Sequence, residues 1–145
     1  MSVWVIGTHK LGELNARLGA AEQFGAPEII GIGQQKDSRE FLLKRLGRNY
    51  FLGNDDFPDL IIGGQSNEEE VDFLLDIKRL SRGKTMIVNI QDPKKDRQDF
   101  DLIVSSDYES VVVNGPNVLN IKGMPHRMRN YGEVIVILKV FLIGI

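Results

Sequence analysis

Asp92 stands two residues past the Ile- and Val-rich run Thr85–Ile90, in the sequence Ile90-Gln91-Asp92-Pro93. An acid at the carboxyl end of a buried strand stands on the rim where α/β folds hold their ligands. There it can orient a hydroxyl or accept a proton. The same Asp-Pro pair also initiates turns, with the side chain bonding nearby backbone, so both readings stay open. Gln91 reads as a structural or hydrogen-bonding neighbour. His9 and His126 are the two histidines, one near each end of the chain. Both can line the same rim, with His9 as the other candidate general base and His126 as a ligand contact or a surface residue in the turn after Pro125. No His-x-x-x-His spacing or clustered acid motif accompanies them, so no metal site is expected.

Two short loops supply the remaining candidates. Thr8, His9, Lys10 and Gly12 lie where a first strand gives way to a helix, with Asn15 one turn further on. Backbone N–H groups at such a junction can hold an anion, but the Gly-x-Gly-x-x-Gly spacing of a dinucleotide site is missing. Gly63, Gly64, Gln65 and Ser66 repeat the arrangement after an Asp59–Ile62 strand. Ser66 and Glu69 form a capping-box pattern, which accounts for the serine without a ligand. Phosphate or sugar contact remains the alternative at the same helix start. The acid run Glu68–Glu70 reads as a solvated first turn. Asn114-Gly115-Pro116-Asn117 reads as turn chemistry between strands.

The elements that must position these residues alternate. Val3–Ile6 is a β-rich run, and Lys10–Phe24 carries Leu11, Leu14, Leu18, Ala21 and Phe24 at helical spacing. Gly25-Ala26-Pro27 ends that helix, and Glu28–Gly33 reads as a second strand. Ser38 could cap a short helix bearing Phe41, Leu42, Leu43 and Leu46, with Gly47 past its end. Arg48–Phe57 reads as loop. From Ser66 a helix runs to about Leu80, with acids near its start and Lys78 and Arg79 near its end, as the helix dipole favours. Thr85–Ile90, Leu102–Val104 and Val118–Ile121 follow as strands. The first two are rich in Ile and Val without alternation, which suits a parallel sheet buried on both faces. The expectation is an α/β, Rossmann-like, doubly wound and mainly parallel sheet of about six strands. Residues 1–132 would form that domain and 133–145 an apolar tail.

Bulk properties narrow the function classes. At 145 residues, one domain can bury roughly two thirds of its unfolded surface. With 42% hydrophobic and 26% charged residues, a disordered or fibrous chain is excluded. The net charge is −2 and no basic run exceeds two residues, so an electrostatic nucleic-acid footprint is not expected. The absence of cysteine rules out disulfides and thiolate catalysis, and it fits a cytoplasmic location. The start of the chain lacks the basic region and apolar core of a signal peptide. The apolar stretch Val134–Ile145 is shorter than the roughly 20 residues a membrane-spanning helix needs.

Gln91-Asp92-Pro93, Phe100-Asp101-Leu102-Ile103-Val104 and Asn114-Gly115-Pro116-Asn117-Val118 stand in a recognisable order and spacing. Pro58-Asp59-Leu60-Ile61-Ile62-Gly63-Gly64 precedes them and Gly123-Met124-Pro125-His126-Arg127 follows. Together they resemble the amino-terminal half of the "elongated mitochondria" fission-protein family. That resemblance implies a fold similar to GT-B glycosyltransferases, with two Rossmann-like domains facing a cleft. This chain would be the acceptor-side domain, with little turnover by itself because the donor's nucleotide mainly contacts the second domain. Lys139–Ile143 resembles the first strand of that second domain. The first loop departs from the family's Asp-Gly-Lys-x-Gly-His-x-Asn-Gln type: Lys10, Gly12 and Asn15 match, whereas Thr8, Glu13 and Ala16 replace the acid, the histidine and the glutamine.

The partners implied are a nucleotide sugar or glycan acceptor, and a second copy of the chain through Val134–Ile143. A peripheral membrane partner is also implied, as the plant member's recruitment of a dynamin-related protein suggests; no bound cofactor is expected. A non-enzymatic adaptor is the second hypothesis and a stand-alone nucleotide-binding domain the third. The adaptor would need an exposed apolar patch.

Overall fold

The computed structural model of the protein describes residues 1–7, 11–30, 57–64, 68–106 and 114–121. Strand β1 (Val3–Ile6) leads into helix α1 (Leu11–Ala21), followed by β2 (Glu28–Ile30) and β3 (Leu60–Gly64). Helix α2 (Glu68–Leu80) precedes β4 (Met86–Ile90), a 3-10 turn at Arg97–Asp99, β5 (Leu102–Ser106) and β6 (Val118–Ile121). The six described strands form one sheet in the order β2-β1-β3-β4-β5-β6. Every neighbouring pair is parallel. The expected doubly wound α/β sheet is therefore present, and within the described residues it is wholly parallel. The expected helix around Ser38–Leu46 and the tail Val134–Ile145 lie outside the described residues.

Alternation along the strands sorts the core into two layers. Val3, Val5, Leu60, Ile62, Val88, Ile90, Leu102 and Val104 pack with Ala16, Leu18, Ala20 and Ala21 of α1. Trp4, Ile6, Ile61, Ile87 and Ile103 point the other way and pack with Val71, Phe73, Leu74 and Ile77 of α2. The helices thus cover opposite faces, as right-handed crossovers to opposite sides of β1 require. β3 is buried along its whole length, which is why its sequence shows no polar alternation.

Helix α2 closes where the chain turns left-handed, at Arg82 (φ 56°) and Gly83 (φ 79°). The Gly83 amide donates to the Lys78 carbonyl at 2.8 Å, a C-terminal cap that favours glycine.

Aspartates fasten the amino edge of the sheet. Asp59 accepts the Ser2 amide at 2.7 Å. Asp101 Oδ2 accepts the Ile87 amide at 2.7 Å and the Lys78 ammonium at 2.7 Å. Both residues belong to Asp-Leu-Ile segments, and they join adjacent strands at the edge opposite the rim. Between β4 and β5 the crossover contains no α-helix among its residues. Lys95 ties it to α2 through Asp72 (2.6 Å) and Glu68 (3.4 Å). Asn117 Nδ2 donates to the carbonyls of Arg97 (2.7 Å) and Phe100 (2.9 Å). The Asn114–Asn117 turn therefore does more than reverse the chain: its last side chain clamps the crossover in front of β6.

Candidate functional site

The winding of the sheet reverses between β1 and β3. The chain goes from β1 outward to β2, then returns to the other side of β1 as β3. In doubly wound folds the crevice outside the strand carboxyl ends at this point is where ligands bind. Gly7 leaves β1 there, its amide held by the Ile30 carbonyl at 2.7 Å, and Gly64 closes β3 beside it. The connections through residues 8–10 and 65–67 depart from this edge. Thr8, His9, Lys10, Gln65 and Ser66 fall in them and lie outside the described residues, as does His126. Asn15 is exposed on α1, and Gly12 belongs to the first turn of the same helix.

A buried ion pair spans the switch point. Arg17 reaches up from α1 and donates to the Ile6 carbonyl at 2.7 Å. Its guanidinium also meets both carboxylate oxygens of Glu70 in α2, at 2.8 and 3.3 Å. The pair thus joins helices on opposite faces of the sheet. Arg17 is 1% exposed and Glu70 8%. Burial pushes the Glu70 carboxyl above its ordinary range, although the Arg17 charge and hydrogen bonds pull the other way. The expectation of a solvated Glu68–Glu70 run is corrected here. Glu68 does face solvent, but Glu70 is in register with Phe73, Leu74 and Ile77 on the buried stripe of α2. Arg17 lies likewise between Leu14 and Ala21 on the apolar stripe of α1. One charge of each sign on a core-facing stripe is the sole trace of the pair in the sequence, and it does not say that the two stripes converge.

Gly63 and Gly64 have distinct tasks. A Cβ on Gly63 would approach Leu74 Cδ1 to 2.8 Å and Ile6 Cδ1 to 3.2 Å, so its size serves the packing of α2. On Gly64 it would stand 2.8 Å from Arg17 Nε, 3.1 Å from Nη2 and 3.1 Å from the Ile90 carbonyl. Gly64 is the floor on which the guanidinium lies.

Gln91 and Asp92 occupy the same carboxyl edge, beyond β4. Gln91 takes a φ of 98°, a region non-glycine residues seldom adopt and one that costs of order 1–3 kcal/mol. Its backbone is held on both sides, the amide by the Val104 carbonyl at 2.8 Å and its own carbonyl by Asn89 Nδ2 at 2.8 Å. Asp92 is buried, and its Oδ1 accepts the Lys94 amide at 2.9 Å. Arg97 grips both its oxygens, through Nε at 2.7 Å and Nη2 at 2.8 Å. These Arg97 hydrogen bonds hold the Asp92 carboxyl below its usual range, ahead of the opposing effect of burial. Lys94 (φ 66°) and Asp96 (φ 48°) add two more left-handed residues to the loop. In this geometry Asp92 anchors the loop and aims the half-exposed Arg97; a proton-accepting role requires the Arg97 pair to open. Arg97 and Arg17 carry no motif in the sequence, and Glu70 stood there only as part of a solvated acid run.

Among the described residues no group of three or more His, Asp or Glu side chains could hold a metal ion. No described helix is long and apolar enough to cross a membrane. Comparison with curated proteins and with solved structures returned no match. A family match does exist, under the description Mitochondrial fission ELM1, and it covers residues 12–133. It takes in α1 from Gly12 onward, both ends of the buried pair, the Gln91–Arg97 loop and all the described strands after the first, and the chain therefore belongs to the mitochondrial fission ELM1 family.

Proposed function

We propose that this chain is the acceptor-side domain of a nucleotide-sugar-dependent, glycosyltransferase-like protein built from two Rossmann-like domains. The observation that carries the reading is the topological switch point at the carboxyl ends of β1 and β3, in an all-parallel sheet covered by a helix on each face. Membership of the family adds to it. In this reading the acceptor sugar lies against the edge formed by Gly7, Gly64 and the Gln91–Asp92 turn, and Thr8, His9, Lys10, Gln65, Ser66 and His126 supply further contacts. The donor's nucleotide rests mainly on a second domain, so the chain by itself binds sugars weakly and turns nothing over.

Calorimetry on the 145-residue chain with UDP, GDP, their sugars and free glycans tests this. The reading expects weak heats from sugars and none of high affinity from nucleotides. Tight nucleotide binding by this chain alone would replace it with a stand-alone nucleotide-binding domain. Silence from every ligand would count for an adaptor. An adaptor needs an exposed apolar patch, and the large exposed apolar side chains among the described residues are Met1 and Ile29.

A further inference from the structure

The Arg17–Glu70 pair is badly explained by stability alone. Removing two charges from water costs several kcal/mol per ion, and an apolar pair of similar volume often stabilises a fold as well or better. Burial pushes the Glu70 carboxyl up despite the Arg17 charge, in the direction that cost implies. What an apolar pair cannot supply is geometry. A guanidinium with bonds to a strand carbonyl and to both oxygens of one carboxylate fixes distance and angle together. Here those bonds run to the last residue of β1, from α1 on one face, and into the first turn of α2 on the other.

We propose that Arg17 and Glu70 are positioning residues: a strut across the switch point that holds the carboxyl ends of β1 and β3 and the start of α2 at a fixed separation. Gly64 is part of the device, because any side chain there collides with the guanidinium. Neither charged residue touches ligand, each being nearly inaccessible. Their effect on a sugar acts through the chain that leaves Gly7 and Gly64. The consequence for ligand affinity rests on the transferase reading above; the positional role does not.

The test compares the wild-type chain with Arg17→Met/Glu70→Leu and with Arg17→Lys. Backbone amide exchange is followed at Gly7, Gly64 and Asp72 around the strut, and at Val5, Ile62 and Val88 within the sheet. The double variant is expected to unfold at a denaturant midpoint near that of wild type. Its exchange at the three strut amides should rise about tenfold or more while the sheet amides stay unchanged, a sign of local rather than global opening. Exchange that is unaltered, or that rises equally at all six amides, overturns the proposal. Should the double variant fail to fold, Arg17→Lys decides. It keeps the charge but loses the two-pronged contact, and it should raise exchange at the same three amides severalfold and leave the others alone.

A sugar titration forms the second arm. If wild type binds a glycan, the double variant should bind it about tenfold more weakly at equal stability. If wild type binds none, the transferase reading fails while the exchange result still decides the strut.

Discussion

Replacing Gly64 with alanine separates a glycine kept for ligand approach from one kept for the guanidinium beneath it. In an ordinary strand this exchange gains about 0.5–1 kcal/mol, because glycine loses more chain entropy on folding. Here the new methyl would stand 2.8 Å from Arg17 Nε, 3.1 Å from Nη2 and 3.1 Å from the Ile90 carbonyl. The carbonyl belongs to the β3–β4 ladder and cannot retreat, so Arg17 must move. Overpacking of this kind costs about 1–3 kcal/mol. If the guanidinium leaves Glu70, the stranded carboxylate brings the total toward about 3–5 kcal/mol. Either figure is a large part of the roughly 5–15 kcal/mol by which a domain is stable.

Urea denaturation of Gly64→Ala, Arg17→Met and the double variant closes the cycle. Methionine removes both nitrogens that the methyl meets, so the loss from Gly64→Ala should shrink in the Arg17→Met background. A coupling of about 1–3 kcal/mol is expected for such neighbours. Gly63→Ala is the control, since its contacts are the methyls of Leu74 and Ile6, and it should add independently to Arg17→Met. A neutral or stabilising Gly64→Ala, or strict additivity with Arg17→Met, would refute the reasoning.

Other perturbations have equally definite outcomes. Glu70→Gln should cost about 3 kcal/mol or more in urea denaturation, by leaving Arg17 buried without a counter-charge. In Arg17→Met the Glu70 carboxyl loses both influences that lower it, so its folded value rises further above the unfolded one. The contribution of Glu70 to that variant's stability should be fully present below the unfolded carboxyl range and be lost as pH rises through the folded value. Asp92 has the opposite sign: its folded value is depressed, so its contribution is present above about pH 4 and disappears as pH falls through the folded value. Acid titration of stability should therefore be shallower for Asp92→Asn than for wild type. Asn117→Ala removes two hydrogen bonds to the β4–β5 crossover and should cost about 1–2 kcal/mol, read as a shift in the urea midpoint at unchanged slope. Phe73→Ala empties a fully buried site in the α2 layer and should cost about 3–5 kcal/mol.

The sheet was legible because its central strands are buried on both faces. Val3–Ile6 and Leu60–Ile62 are unbroken apolar runs and Ile87–Ile90 is interrupted only by Asn89, a pattern that suits a covered parallel sheet. Helix α2 announced itself through its charge gradient and ends at the expected Leu80. The amphipathic pattern of α1 likewise placed it to within a turn. What the pattern concealed was the meaning of a charge on an apolar stripe. Arg17 and Glu70 each look like a surface residue in one dimension; their burial depends on two helices from opposite faces converging over one glycine. The Asp92 alternatives were open for a similar reason, since Arg97 lies five residues on and turns inward only because three residues of the loop adopt left-handed backbone. Asp59 and Asp101 stood out as parts of Asp-Leu-Ile segments without any hint that they fasten the amino edge.

The central claim is that ligand binds at the carboxyl edge between β1 and β3. An amide chemical-shift titration of the 145-residue chain with UDP-sugars and free glycans tests it most directly. Saturable shifts are expected at Gly7, Gly64 and Gln91, with Asp59, Gly83 and Asp101 at the opposite edge unmoved. Shifts centred on those amino-edge residues, or none up to the solubility limit of the sugars, would contradict it.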